Sequence, residues 1–211
     1  MQQRTHISSG IRKVLEYPFV YNLFQFVIGG NKHRSNHFKK FFTGKPGQKV
    51  LDIGCGTAVL LEHLEEGVEY HGCDMQESYI SYAQSKFGNR GKFYQEKVGE
   101  NIRDEWLSYF DIVNAHGLLH HLNDQDSEVL LEGAYTYLKK GGYLVTVDTV
   151  FHEDQSIMSK WLVSKDRGLN IRTPKEYLKL ANKFFDKVEC YLETDSLNIP
   201  YSIYVMVLYK T

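Results

Sequence analysis

Cysteine is scarce in this 211-residue chain, acidic and basic side chains nearly cancel, and no apolar run is long enough to span a bilayer. Cys55, Cys73 and Cys190 are odd in number and form no CxxC pair. That excludes a disulfide framework, a zinc ribbon and a thioredoxin-type site, and it fits a reducing compartment. The longest stretch without a charge, Tyr17 to Gly30, is interrupted by Asn22 and Gln25 and falls short of the ~18 apolar residues a membrane helix needs. The first residues, Met1 to His6, lack the apolar core of a secretory signal, so a cytoplasmic location is expected. Apolar residues at 42% and charged residues at 24% are values for a folded globular chain and wrong for a disordered or collagen-like one.

The net charge of −1 conceals an asymmetry. Residues 1–49 hold nine Lys and Arg against Glu16 alone, a local charge of +8, and the remainder carries −9. Such a leader is either a solvated face or the mark of an anionic partner. Residues 11–28 are apolar around nearly the whole circumference of a helix, broken by Pro18 and stopped by Gly29-Gly30. A helix of that kind caps its own domain, pairs with a partner subunit, or makes peripheral membrane contact. The expected organisation is an N-terminal helical cap over 1–46 and one α/β domain over 47–211.

From Gln48 onward short apolar runs alternate with amphipathic stretches. Strands are expected at 49–53, 69–73, 93–96, 111–115 and 143–148, with helices at 57–65, 77–87 and 124–140. In the second helix Tyr79, Ile80, Ala83 and Phe87 share a face. In the third, Asp124, Asp126 and Glu128 open the helix, and Lys139-Lys140 before Gly141-Gly142 close it. Thr173-Pro174-Lys175-Glu176 reads as an N-cap, a proline at the first helical position and a capping-box glutamate, with Tyr177, Leu180, Ala181 and Phe184 as the buried stripe. Runs at 187–192 and 201–209 suggest a closing hairpin, and the second is apolar on both faces, as an interior strand must be.

The chemistry concentrates at Val50-Leu51-Asp52-Ile53-Gly54-Cys55-Gly56-Thr57, a strand entering a glycine turn. Glycines there let a ligand approach the backbone closely. Asp52 would repel a pyrophosphate, and Val59 stands where a dinucleotide turn has its third glycine. A ligand carrying an amine and a sulfonium, such as S-adenosylmethionine, suits an acid at that place. Asp74, at the end of the next strand, can accept both hydroxyls of a ribose or cap the following helix.

With Asp74-Met75, the run Phe110-Asp111-Ile112-Val113-Asn114-Ala115-His116-Gly117-Leu118-Leu119-His120-His121-Leu122 and Leu138-Lys139-Lys140-Gly141-Gly142, the sequence resembles the class I S-adenosylmethionine-dependent methyltransferases over about 47–211. The resemblance implies a Rossmann-like α/β fold, a seven-stranded, mostly parallel sheet with an antiparallel last strand and helices on both faces. It implies S-adenosyl-L-methionine as cofactor, with Gly54, Cys55 and Gly56 along its methionine and ribose, Asp52 near the amine, Asp74 on the ribose and Met75 on the adenine. Lys97, beside Val98, stands where the family commonly has an acid for the adenine amino group, and Ala58 replaces a frequent third glycine. Asn114, Ala115 and His116 would lie at the acceptor mouth.

Methyl transfer is an in-line displacement that rests chiefly on positioning. A base helps when the acceptor is a hydroxyl, and His116, His120 and His121 are the catalytic candidates, against a packing or capping role. Asp148, Arg167 and Arg172 are candidate substrate contacts; the two arginines either grip an anion or pair with surface acids such as Asp166. His33 and His37 are spaced like helical metal ligands without a carboxylate beside them, so no metal is expected. The function expected is methyl transfer to a small, anionic acceptor. The alternatives are an RNA or nucleotide methyltransferase, disfavoured because neither an Asn/Asp-Pro-Pro-aromatic motif nor a Pro-Cys pair occurs, and a non-catalytic cofactor-binding or membrane-surface protein.

Overall fold

The alternating pattern builds one seven-stranded sheet. The computed structural model describes residues 30–42, 44–97, 103–194 and 198–211, with side chains in the first helix from residue 35. The expected helix over 11–28 and the candidate Val98 lie outside the described residues. The strands are β1 Lys49–Ile53, β2 Glu69–Asp74, β3 Gly91–Gln95, β4 Phe110–His116, β5 Leu138–Thr149, β6 Lys187–Glu193 and β7 Ile203–Tyr209. Their order is β3-β2-β1-β4-β5-β7-β6. β1 to β5 pair in parallel, and β7 is antiparallel to both β5 and β6. The antiparallel strand is interior, as its two apolar faces require.

The helices are α1 Gly30–Phe41, α2 Glu77–Phe87, α3 Asp124–Tyr137, α4 Ile157–Ser164 and α5 Pro174–Ala181. Two apolar layers form because successive strand residues point to opposite faces. Val205 and Val207 join one cluster with Phe38, Phe41, Leu60 and Ile80, while Tyr204, Met206 and Leu208 join the other with Trp106, Leu131 and Tyr177.

Three expectations are corrected. The helix expected over 57–65 is a single 3-10 turn, Val59–Glu62. It is preceded by Ala58 in the left-handed conformation at φ 56°, which cannot propagate an α-helix, and only Leu60 and Leu61 of the turn are buried. α3 ends at Tyr137 instead of continuing to 140. Lys139 reaches across to Asp111 at 2.7 Å, and a Cβ on Gly142 would stand 2.8 Å from the Asp111 carbonyl, so these residues build the bulged start of β5 and do not cap a helix. On α2, Ile80 and Ala83 are buried but Tyr79 faces solvent.

At α5 the Thr173 side chain accepts from the Glu176 backbone N–H while the Glu176 carboxylate accepts from the Thr173 N–H. Tyr177, Leu180 and Ala181 are buried as the pattern required, and Phe185 takes the deep position expected of Phe184. Thr173→Ala removes the side-chain half of the capping box, leaving the backbone N–H of residue 173 on Glu176, and should cost about 1 kcal/mol. Urea unfolding should show a lowered midpoint with an unchanged slope.

Candidate functional site

At the carboxyl end of β1 the backbone turns through Gly54 at φ 68° and Gly56 at φ 53°. The N–H groups of Gly54 and Cys55 both donate to the Cys73 carbonyl, at 2.8 and 3.0 Å, which ties the turn to the end of β2. Nothing lies within 4 Å of a Cβ placed on Gly56, whereas at Gly54 the Leu118 side chain is 3.1 Å away. The turn is therefore open at Gly56 and closed at Gly54. Asp74 accepts from Gly56 N at 3.0 Å and from Gln76 N at 2.8 Å, so one carboxylate both closes the turn and caps the approach to α2. Burial pushes the Asp74 carboxyl above its ordinary value, against the lowering effect of those backbone donors. Ala58 occupies a left-handed position that suits glycine.

Asp52 is placed differently from the expectation. Its side chain is 3% exposed and lies beneath the turn, where it accepts from the Tyr70 hydroxyl at 2.7 Å and from Asn114 Nδ2 at 2.6 Å. A buried carboxylate needs such donors. Burial, with Asp52 beside it, holds the Tyr70 phenol protonated far beyond its ordinary range, so it remains a donor. Asn114 and Ala115 are interior, and Asn114 Oδ1 is buried with no hydrogen-bond partner among the described residues. Cys55 is buried, and desolvation with the neighbouring Asp52 raises its thiol pKa strongly. Met75 is exposed beside Asp74. Lys97 is paired with Asp126 at the start of α3, at 2.8 Å, and Glu96 is held by Arg103 at 2.6 Å.

The three histidines occupy distinct settings. His116 ends β4 with its ring 5.6 Å from that of Phe38 and 6.3 Å from that of His37 on α1. His37 in turn meets Glu193 at the end of β6, at 2.7 Å, so a hydrogen bond fastens α1 over the carboxyl edge of the sheet. His120 is internal. Its Nδ1 lies 2.9 Å from Asp148 Oδ1, and its Nε2 lies 3.5 Å from Asp166 Oδ1. Burial opposes its charge, but the hydrogen bond and field of Asp148 with the field of Asp166 outweigh it, and its pKa is raised. His121 lies beside it, its ring tilted by 40° with 4.2 Å between ring centroids.

Two of the three expected substrate contacts are enclosed in this network. Asp148 is 2% exposed and spends one oxygen on His120. Arg172 is 7% exposed: it donates to the carbonyls of Leu119 and Leu122 at 2.9 and 2.8 Å and to Asp124 at 2.8 Å. These bonds clamp the turn after β4, so the arginine is a structural brace with its donors committed. Arg167 remains half-buried in the loop before it. Tyr70 and Glu193 escaped the sequence reading because neither stands in a motif, Leu118 entered it only as part of the β4 run and Asp166 only as a pairing acid; strand register and chain crossover bring them to the site. Arg172→Met should remove the guanidinium donors from the Leu119 and Leu122 carbonyls and leave Asp124 unpaired, and should cost about 3 kcal/mol in urea unfolding. A normally stable variant with weakened acceptor binding would restore the anion-gripping role.

Residues 51–144 match the family model of a methyltransferase domain. A ubiquinone biosynthesis O-methyltransferase of Shewanella sp. (strain ANA-3) is 31% identical over 117 residues, covering 54% of this chain and 49% of that one. The chain thus spans about half the length of the first curated relatives it matches. Among solved structures, the pyocyanin biosynthetic protein PhzM superposes with a TM-score of 0.71 at 17% identity, over 96% of this chain and 62% of that one. A phosphoethanolamine N-methyltransferase of Haemonchus contortus, bound to S-adenosylhomocysteine, gives a TM-score of 0.66 at 18% identity, over 85% of this chain and 52% of its own. These two likenesses show the fold. The matched segment holds the glycine turn, Asp74 and the β4 mouth, and over it the chain is similar to the methyltransferase domain of the class I S-adenosylmethionine-dependent enzymes.

Proposed function

We propose that this chain transfers a methyl group from S-adenosylmethionine to a hydroxyl of a small acceptor. The observation that carries this reading is the turn open at Gly56 and bonded to Asp74. A ribose can lie against a glycine that has no Cβ, with a carboxylate beside it to receive its hydroxyls. Gly54, Cys55 and Met75 complete the cofactor cradle. Asp52 acts from beneath through its charge, and Asn114 and Ala115 form the floor. Lys97 reaches the adenine side only as the partner of Asp126.

The cofactor supplies an activated methyl carbon, so the protein's part is to align the acceptor oxygen and take its proton. Of the three candidate histidines, His116 stands at the strand mouth, while His120 is committed to Asp148. His116 is assigned as the base. The hydroxyl assignment is favoured by the O-methyltransferases among the curated relatives. Aromatic side chains of α1, Phe38 and Phe41, close over that mouth with Tyr191, which suits a planar or apolar acceptor body. Residues 1–46 are assigned as a lid. A negative charge on the acceptor rests on the basic residues 1–49 and on Arg167, since Arg172 is committed elsewhere. Peripheral membrane contact through 11–28 suits an apolar acceptor held in a lipid surface. Three free thiols support a reducing, cytoplasmic setting.

Calorimetric titration with S-adenosylhomocysteine should show one site. Asp74→Ala should weaken it by about 1.5 to 3 kcal/mol through lost charge-assisted hydrogen bonds; an unchanged affinity would overturn the ribose assignment. The bond to ribose needs the carboxylate, and the Asp74 pKa is raised, so wild-type affinity should decline as pH falls through that raised value. Asp74→Asn should flatten the decline. His116→Ala should lower kcat for a hydroxyl acceptor by about 10²-fold or more while leaving S-adenosylhomocysteine affinity unchanged.

A further inference from the structure

The loop that follows α4 carries a cluster with no part in the cofactor cradle. His120 and His121 come from the turn after β4, and Asp166 comes from the loop after α4; each offers one ligand atom, and these atoms lie within 4.8 Å of one another. We infer that His120, His121 and Asp166 form a site for a divalent cation of the zinc class, tying the two loops together beside the acceptor mouth.

The geometry suits the chemistry. Donors at about 2.1 Å from a tetrahedral zinc stand roughly 3.4 Å apart; His120 Nε2 and Asp166 Oδ1 are 3.5 Å apart, so an ion fits between them after a small adjustment of the His121 ring. Two imidazole nitrogens and one carboxylate oxygen form a borderline ligand set that prefers zinc and neighbouring first-row ions to magnesium or calcium. The supporting shell is already built. The other nitrogen of His120 faces Asp148 at 2.9 Å, the arrangement that orients a metal-bound imidazole. Asp166 is held by the Tyr201 hydroxyl and by Gly168 N at 2.7 Å. A Cβ on Gly168 would stand 2.4 Å from the His120 ring, so the loop is seated directly on it. His120 is nearly enclosed, while Asp166 keeps 22% of its side chain exposed, giving an ion a way in and room for a water as fourth ligand.

The inference is independent of the methyl-transfer reading, and its test needs neither cofactor nor acceptor. The full chain, purified without a histidine tag and stripped with a chelator, is titrated with zinc sulfate against a chromophoric chelator, and bound metal is counted after dialysis. One equivalent is expected, raising the thermal midpoint of the wild type. His121→Ala should weaken binding by at least about 10-fold and abolish the thermal shift. Asp166→Asn should do the same, although it also disturbs the bonds to Tyr201 and Gly168; His121→Ala, which disturbs neither, therefore decides. Less than a tenth of an equivalent bound by a protein with normal circular dichroism overturns the inference. Undiminished binding in folded His121→Ala overturns it equally, by placing the zinc elsewhere.

Discussion

The carboxylate of Asp52 is the constraint on which the central structure depends. It sits on β1 at 3% exposure and is held by Tyr70 of β2 and Asn114 of β4. Leaving a carboxylate without donors at such depth would cost several kcal/mol, so three adjacent strands must keep the register that delivers both partners. That register places the ends of the same strands, and so the glycine turn, Asp74 and the β4 mouth, at one edge of the sheet. Below the turn, then, the acid organises the scaffold.

A second set of buried polar bonds does the same for the acceptor side. The 3-10 turn after β4, Leu119–His121, turns its carbonyls toward the loop, where Arg172 donates to Leu119 O and Leu122 O and Asn170 N donates to His120 O. His120 then joins Asp148 at the end of β5 to Asp166 on the loop. An arginine and a histidine that look like ligand contacts on a sequence are spent in fastening one loop to another. The reason is that a long loop over an open sheet edge must find partners for its own backbone before it can offer any to a ligand.

α1 closes the same edge from the other direction. His37 pairs with Glu193, and the Phe41 carbonyl accepts from Tyr143 at 3.0 Å, so the helix spans the sheet from β5 to the end of β6. Its aromatic residues meet His116 and Tyr191. Positioning by a covering helix suits a displacement in which alignment supplies most of the acceleration.

Local patterns in the chain determined the fold by themselves: short continuous apolar runs at β1, β4 and β7, the 3.6-residue stripe of α5 with its Thr173 capping box, and the glycine turn with Asp74 all act over a few residues, where side-chain type and backbone preference are decisive. Where the sequence misled, a long-range contact had overridden a local preference. Lys139 left the helix end for Asp111, and Arg172 left solvent for the β4 turn, while Asp52 took Tyr70 and Asn114 as its partners. Only the tertiary structure decided these roles, as it decided the meeting of His120, His121 and Asp166. A charged or polar side chain is equally at home in water or against a partner, and which one it takes is settled by chain segments tens of residues away.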